Sequence, residues 1–297
     1  MSRHADAAAS GLELMNVLPL TSAVSFRLVR KWSAMRSRDN EAVRHDLILR
    51  EFARQAGTFE DARLNSAFTS HLQRLVDFAR PDLEDGCLDV ACGTGLVARA
   101  LAVRTRHVTA LDATPEMLDT GKARADAEGV SNVVFQRGDA ARLPFLDGSF
   151  SLVISRFSLH HVAEPDKVAA EMVRVCRAGG RVVVADMVIK PELPGDPDRV
   201  ERLRDPSHGA MIGAEAIVRL LTSAGAAVET SDVFDVERPL RPWLEQAGTA
   251  ADVARQIEGE LSDELSGGSP TGMRPLIVDD ELWFTQTWAH ISVTVPS

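Results

Sequence analysis

The 297-residue chain is 45% hydrophobic and 26% charged, with a formal net charge of −10, the composition of a soluble globular protein long enough to bury a sizeable core. The acidic balance argues against a nucleic-acid partner, which needs Lys and Arg on phosphates. No apolar run approaches the ~18 residues needed to span a bilayer. Cys87, Cys92 and Cys176 form no CxxC or Cys/His ligand spacing, which argues against a structural zinc or disulfide framework and for a reducing, cytoplasmic setting.

Residues 1–45 read as an N-terminal extension, helical or disordered. Arg27, Arg30, Lys31, Arg36 and Arg38 give it a faint transit-peptide composition, opposed by Asp6 and Glu13. From Asp46 to Ala79 the apolar residues Leu49, Phe52, Ala56 and Phe59, then Phe68, Leu72, Leu75 and Val76, fall at helical spacing and predict two helices. Pro81 closes the second.

The pattern then changes to strands alternating with helices. A strand at Cys87–Ala91 runs into a glycine turn and a helix from Leu96. Strands follow at His107–Leu111, Val133–Gln136 and Phe150–Ser155, with a helix from Pro115 after the first of these. A helix from Pro165 ends by Gly179-Gly180, and Arg181–Val188 is an apolar strand. Beyond the Pro-rich break at Pro191–Pro197 come a helix (Ala214–Ala224), a strand (Ala227–Phe234), a polar helical stretch (Thr249–Ser266) and a last strand (Leu282–Val295). Such alternation implies an α/β fold, a parallel sheet covered on both faces.

The strongest motif is LDVACGTG, Leu88–Gly95. A buried strand carries an acid and opens into glycines that allow backbone angles closed to other residues. Asp112 ends the second strand, where an acid can hold two ribose hydroxyls. Asp139, in Arg137-Gly138-Asp139-Ala140, ends the third and can accept from an adenine amino group. Three acids thus stand in series along the edge where open α/β sheets bind ligands.

With LDATPEML (Leu111–Leu118), GDAARLPFLDGSF (Gly138–Phe150), SLHHV (Ser158–Val162), VCRAGGRVVVADMV (Val175–Val188) and LRDPSH (Leu203–His208), the chain resembles the class I methyltransferases dependent on S-adenosylmethionine (SAM), in their UbiE/YcgJ-like group. The resemblance covers most of the chain from about Glu51. It implies a Rossmann-like, seven-stranded, mostly parallel sheet in the order 3-2-1-4-5-7-6 with the last strand antiparallel. One catalytic domain would span residues 46–297, its site covered by the 190–213 and 235–281 segments. It implies SAM as cofactor, with Asp89 and the Gly93/Gly95 turn at the methionine end, Asp112 on the ribose, Met117 near the adenine and Asp139 with Ala140 at its edge. Ala91, Ala113 and Ser155 complete the expected cofactor surroundings. Two positions depart from the family pattern: Ala91, where many members carry glycine, and Phe59, where many carry tyrosine.

The group's scope points to a small-molecule acceptor methylated on oxygen or carbon. His160 and His161 follow the fourth strand and Asp186 lies near the end of the fifth. These are the candidate catalytic residues: a histidine, with slight preference for His160, removes the acceptor proton, and Asp186 assists or replaces it. Taken singly the histidines are ordinary loop residues, and Asp112 is a helix cap. Two rival functions stand beside this one. Gly93-x-Gly95-x-x-Ala98 also fits the fingerprint of an NAD-dependent oxidoreductase, against which Asp89 argues by repelling a pyrophosphate. A SAM-binding regulator without turnover is the other. Ser155-Arg156-Phe157-Ser158 stands where DNA adenine methyltransferases carry Asn/Asp-Pro-Pro-aromatic, and no metal spacing appears.

Overall fold

A strand buried along its whole length needs helices on both faces of its sheet, and β1 (Gly86–Val90) is buried at every position. The structure, a computed structural model described over residues 43–61 and 63–297, supplies that cover. β2 (His107–Asp112), β3 (Val133–Arg137), β4 (Phe150–Arg156) and β5 (Cys176–Met187) join β1 in parallel. β6 (Ala227–Pro239), β7 (Pro275–Val278) and β8 (Glu281–Thr294) complete the sheet, with β8 antiparallel to both β5 and β6. The order is β3-β2-β1-β4-β5-β8-β6, and β7 pairs with β8. The Rossmann-like order is therefore present, the chain's final strand lying between β5 and β6. Residues Arg44–Ser297 form one compact unit; of the extension expected over 1–45, residues 1–42 lie outside the described residues.

Three details differ from the sequence reading. An eighth strand, β7, arises inside the stretch read as cover. Val278 pairs with Glu281, leaving Asp279 and Asp280 as a two-residue turn with φ of 49° and 62°. A type I′ hairpin requires positive φ at both positions, which aspartate tolerates. β5 starts earlier than Arg181, and Gly179-Gly180 lie within it rather than closing a helix. There the register with β4 shifts, Gly179 takes φ 70°, and its N–H donates to the Val295 carbonyl at 2.8 Å. β6 continues past Phe234 to Pro239, because Asp235 bonds the Thr287 hydroxyl opposite it on β8 and accepts from Arg274 and Lys190.

The helices follow from their apolar stripes and end residues. α1 spans residues 43–55, α2 Ser66–Ser70 and α3 Leu72–Ala79. α3 and α4 (Leu96–Ala102) place Leu75, Val76 and Leu101 against Val108 and Ile154 on one face of the sheet. α5 (Pro115–Glu128), between β2 and β3, starts on proline and ends on Gly129 at φ 71°, as helix-end chemistry favours. α6 (Pro165–Val175) and α8 (Ala214–Ser223) set Met172, Ile217 and Leu221 against Val153 and Val184 on the opposite face. Met187 pairs with Trp288 while β8 begins at Glu281, so β8 runs on past the end of β5. On that projecting part α7 (Pro197–Arg204), α9 (Leu240–Gln246) and α10 (Ala251–Leu265) build a small separate core of Val200, Trp243, Ile257 and Phe284.

Candidate active site

Where β1 ends the chain must turn at once to lay α4 on the sheet. Ala91, Gly93 and Gly95 take φ of 55°, 54° and 72°. Glycine does so freely; alanine does so at a strain of roughly 1–2 kcal/mol. Asp89 is buried beneath the turn and accepts the Ala98 N–H at 3.0 Å, tying strand to helix, and burial pushes its carboxyl up to about 7. Asp112 accepts the Gly93 N–H on one oxygen at 2.9 Å and the Thr114 N–H on the other at 2.8 Å. Burial raises its pKa in spite of these bonds.

A Cβ on Gly93 would stand 3.5 Å from the Phe59 ring and 4.0 Å from the Met117 sulfur. The missing side chain thus leaves a slot between backbone, Phe59 and Met117. The Phe59 segment is clasped to the turn: Glu60 bonds the Thr94 hydroxyl and pairs with Arg99 at 2.6 Å. Arg99 also donates to the Thr94 carbonyl at 2.6 Å, and both charged side chains are buried.

Beyond Phe59, past the ends of β4 and β5, lies a small cavity. Phe52, Phe59, Phe68 and Phe157 form an aromatic wall, and His160, His161, His208, Arg204 and Arg238 line the cavity beside it. His160 Nδ1 lies 2.5 Å from Asp186 Oδ1. The carboxylate accepts that proton, which leaves Nε2 as the nitrogen available to the cavity. Asp186 is fixed in turn by the N–H groups of Leu159 at 2.9 Å and Met187 at 2.8 Å. Burial opposes a charge on His160, but Asp186, with Glu201 and Asp205 further off, outweighs it and holds the pKa above the ordinary imidazole value. His161 behaves in the opposite way. Burial and the neighbouring His160 hold it well below the ordinary value, and its Nδ1 donates to the Ser207 carbonyl at 3.1 Å. His208, also buried, has Nε2 2.6 Å from Asp198. The His160 carbonyl accepts the N–H groups of Gly209 at 2.9 Å and Ala210 at 3.1 Å, so the segment after α7 docks directly on His160. A Cβ on Gly209 would come within 2.5 Å of that carbonyl oxygen, which explains the glycine.

A methyltransferase-domain family model matches residues 88–184, the span from β1 into β5. The uncharacterized methyltransferase YcgJ of Bacillus subtilis is 29% identical over 71% of this chain and 84% of its own length. Its crystal structure superposes with a TM-score of 0.66, covering 77% of this chain and all of that one at 25% identity. The demethylmenaquinone methyltransferase of Clavibacter sepedonicus is 34% identical over 62% of this chain and 74% of its own length. The 27-O-demethylrifamycin SV methyltransferase of Amycolatopsis mediterranei is 31% identical over 63% and 70%. The chain belongs to the class I SAM-dependent methyltransferases.

In this methyltransferase the structure gathers Ala91, Gly93, Gly95, Asp112, Ala113 and Met117 around the turn and the end of β2. Asp139 is exposed at the end of β3, where it accepts the Ala141 N–H at 2.9 Å, and Ala140 is half-buried beside it. Two expected cofactor residues are bonded within the protein. Asp89 lies under the turn rather than at its surface, so it positions α4. Ser155 is turned inward, its hydroxyl donating to the Val90 carbonyl at 2.7 Å and sharing a hydrogen bond with Ser158 at 2.6 Å. Phe59 and the LRDPSH motif, which supplies Arg204, Asp205, Ser207 and His208 together, stood out in the sequence; the rest of the phenylalanine wall, Arg238 and Asp198 did not. Among the described residues no helix is long and apolar enough to cross a membrane, and no group of three or more His, Cys, Asp or Glu is arranged for a metal ion.

Proposed function

We propose that this enzyme transfers the methyl group of SAM to an oxygen or carbon of a small-molecule acceptor held in the aromatic and histidine-lined cavity, with His160 as general base and residues 46–297 as the catalytic domain. The observation that carries the reading is the His160–Asp186 pair at 2.5 Å, on the wall of a cavity that shares Phe59 with the glycine turn. The residues present fit SAM. The slot over Gly93 admits backbone contact, Asp112 stands at the end of β2 to meet the ribose hydroxyls, and Met117 and Ala113 line the adenine side with Asp139 and Ala140 at its rim. When bound, SAM supplies a methyl already activated by its sulfonium.

The chain's own residues then orient and deprotonate the acceptor. The phenylalanine wall excludes water and orients the acceptor's apolar body, and alignment of this kind can be worth on the order of 7–11 kcal/mol. His160 Nε2 takes the acceptor proton, while Asp186 fixes the ring and stabilises the imidazolium. His161, kept neutral, packs edge-on against Phe52 at 4.9 Å and supports the wall. The acidic chain and its family scope favour a metabolite acceptor over a nucleic acid, in a cytoplasmic setting.

The test is transfer from radiolabelled SAM to the acceptors of a cell extract, comparing wild type with His160→Ala. Loss of a general base should lower kcat by roughly 10²-fold or more and leave SAM affinity unchanged. Near-normal kcat from pH 6 to 9 in the variant would show that positioning alone does the work.

A further inference from the structure

Resting on that reading, we infer that the acceptor carries an oxyanion, a carboxylate or a phosphate, and that Arg238 receives it where the cavity meets Phe68. Arg238 stands near the end of β6, is 3% exposed and borders the cavity. A guanidinium withdrawn from water is costly unless a charge answers it. None does here. Its two hydrogen bonds go to neutral amides, the Gln286 oxygen at 3.0 Å and the Asn65 oxygen at 3.4 Å, and no carboxylate among the described residues pairs with it.

The nearby acids are already engaged. Glu201 accepts from Gln286 at 2.6 Å and pairs with Arg204. Gln286 therefore stands between Glu201 and Arg238, giving its N–H to one and its oxygen to the other. Asp205 accepts from Ser207 and Gln55. Burial, then repulsion from Arg204, pulls the Arg238 pKa down to about 9, and the through-space attraction of Glu201 does not offset them. Its position is nonetheless fixed, between the rings of Phe68 and Phe284 at 5.7 and 5.8 Å. A planar donor fork held rigid in an apolar recess suits a two-oxygen acceptor. The ligand class that follows is an apolar or aromatic body with an acidic end, its nucleophile lying towards His160.

The test is calorimetry on the full chain saturated with S-adenosylhomocysteine, using benzoate, phenyl phosphate and the neutral benzamide as probes. At least one anion should bind roughly tenfold or more tightly than benzamide, the scale of a charge-assisted hydrogen bond, and which anion wins separates carboxylate from phosphate. Arg238→Gln should abolish the preference, and Arg238→Lys, which keeps the charge and loses the fork, should retain part of it. Equal binding of benzamide, no binding of any probe, or a preference that survives Arg238→Gln overturns the inference. Unchanged S-adenosylhomocysteine affinity in both variants shows that they are folded. A wild-type protein that takes the anions but no S-adenosylhomocysteine would instead sink the methyl-transfer reading and leave the anion site standing.

Discussion

Asp186→Asn isolates the charge of the dyad while keeping its shape. Asp186 accepts three N–H donors: Leu159 on one oxygen, and Met187 and His160 on the other. Asparagine offers one acceptor oxygen with two lone pairs. It therefore places that oxygen towards Met187 and His160 and turns its NH₂ towards the Leu159 N–H. One buried donor is left unsatisfied, a loss of about 1–3 kcal/mol, or very roughly 2–12 °C in Tm at about 2–4 °C per kcal/mol. His160 keeps its tautomer but loses the charge that holds its pKa up, and burial then lowers it. The sign follows from linkage. A histidine whose folded pKa is raised adds stability that is complete below the unfolded value of about 6.5 and is lost as pH rises through the folded pKa. The variant should therefore lose more stability at pH 5.5 than at pH 9, measured by denaturant unfolding. In kinetics, the acid limb of kcat/KM against pH should move to lower pH, with kcat reduced. An acid limb at the same pH in both proteins would show that the titrating group is not His160.

Ala91→Gly relieves an alanine held at φ 55°. The strain of roughly 1–2 kcal/mol is partly offset by the ~0.4–1 kcal/mol that glycine loses on ordering, so a small rise in Tm is expected and a fall would contradict the account. Gly209→Ala pushes a Cβ against the His160 carbonyl; kcat should fall while SAM affinity, read by calorimetry, holds. His290 is buried between Phe78 and Phe234 with Nδ1 unpaired, and burial lowers its pKa to about 4. A depressed histidine adds stability that is present above about pH 6.5 and lost as pH falls towards 4. His290→Leu should remove up to about 3 kcal/mol of that acid sensitivity, at 1.36 kcal/mol per pH unit, in unfolding curves taken from pH 7 to 4.

The parallel half of the sheet was legible because its strands are uniformly apolar and its turns carry glycine at the points that need positive φ. The His160–Asp186 pairing was legible for a topological reason: adjacent strands β4 and β5 bring their ends together whatever the intervening chain does. The β7 hairpin was not, since Asp279-Asp280 lacks the glycine that usually marks such a turn. The inward rotation of Ser155 was also hidden, because a serine at a strand end reads alike whether it faces a ligand or a neighbouring carbonyl. Arg238 was invisible for a related reason. Along β6 it follows Asp235 and Glu237 in a run that reads as a solvated face, and it leaves water by packing against Asn65, Phe68, Phe284 and Gln286.

Phe59 and Glu60 are consecutive, yet they serve different neighbours: the ring borders the cavity, and the carboxylate grips Thr94 and Arg99 at the glycine turn. Any occupant of the slot over Gly93 that shifts this dipeptide reshapes the cavity wall as well. Occupancy of the two places is then energetically linked, and the linkage is reciprocal: whatever factor one ligand imposes on the other's affinity is returned unchanged. A methyl donor that tightens the clasp would act as a gatekeeper for its own acceptor, and the demethylated donor left behind would hold the same gate until it departs.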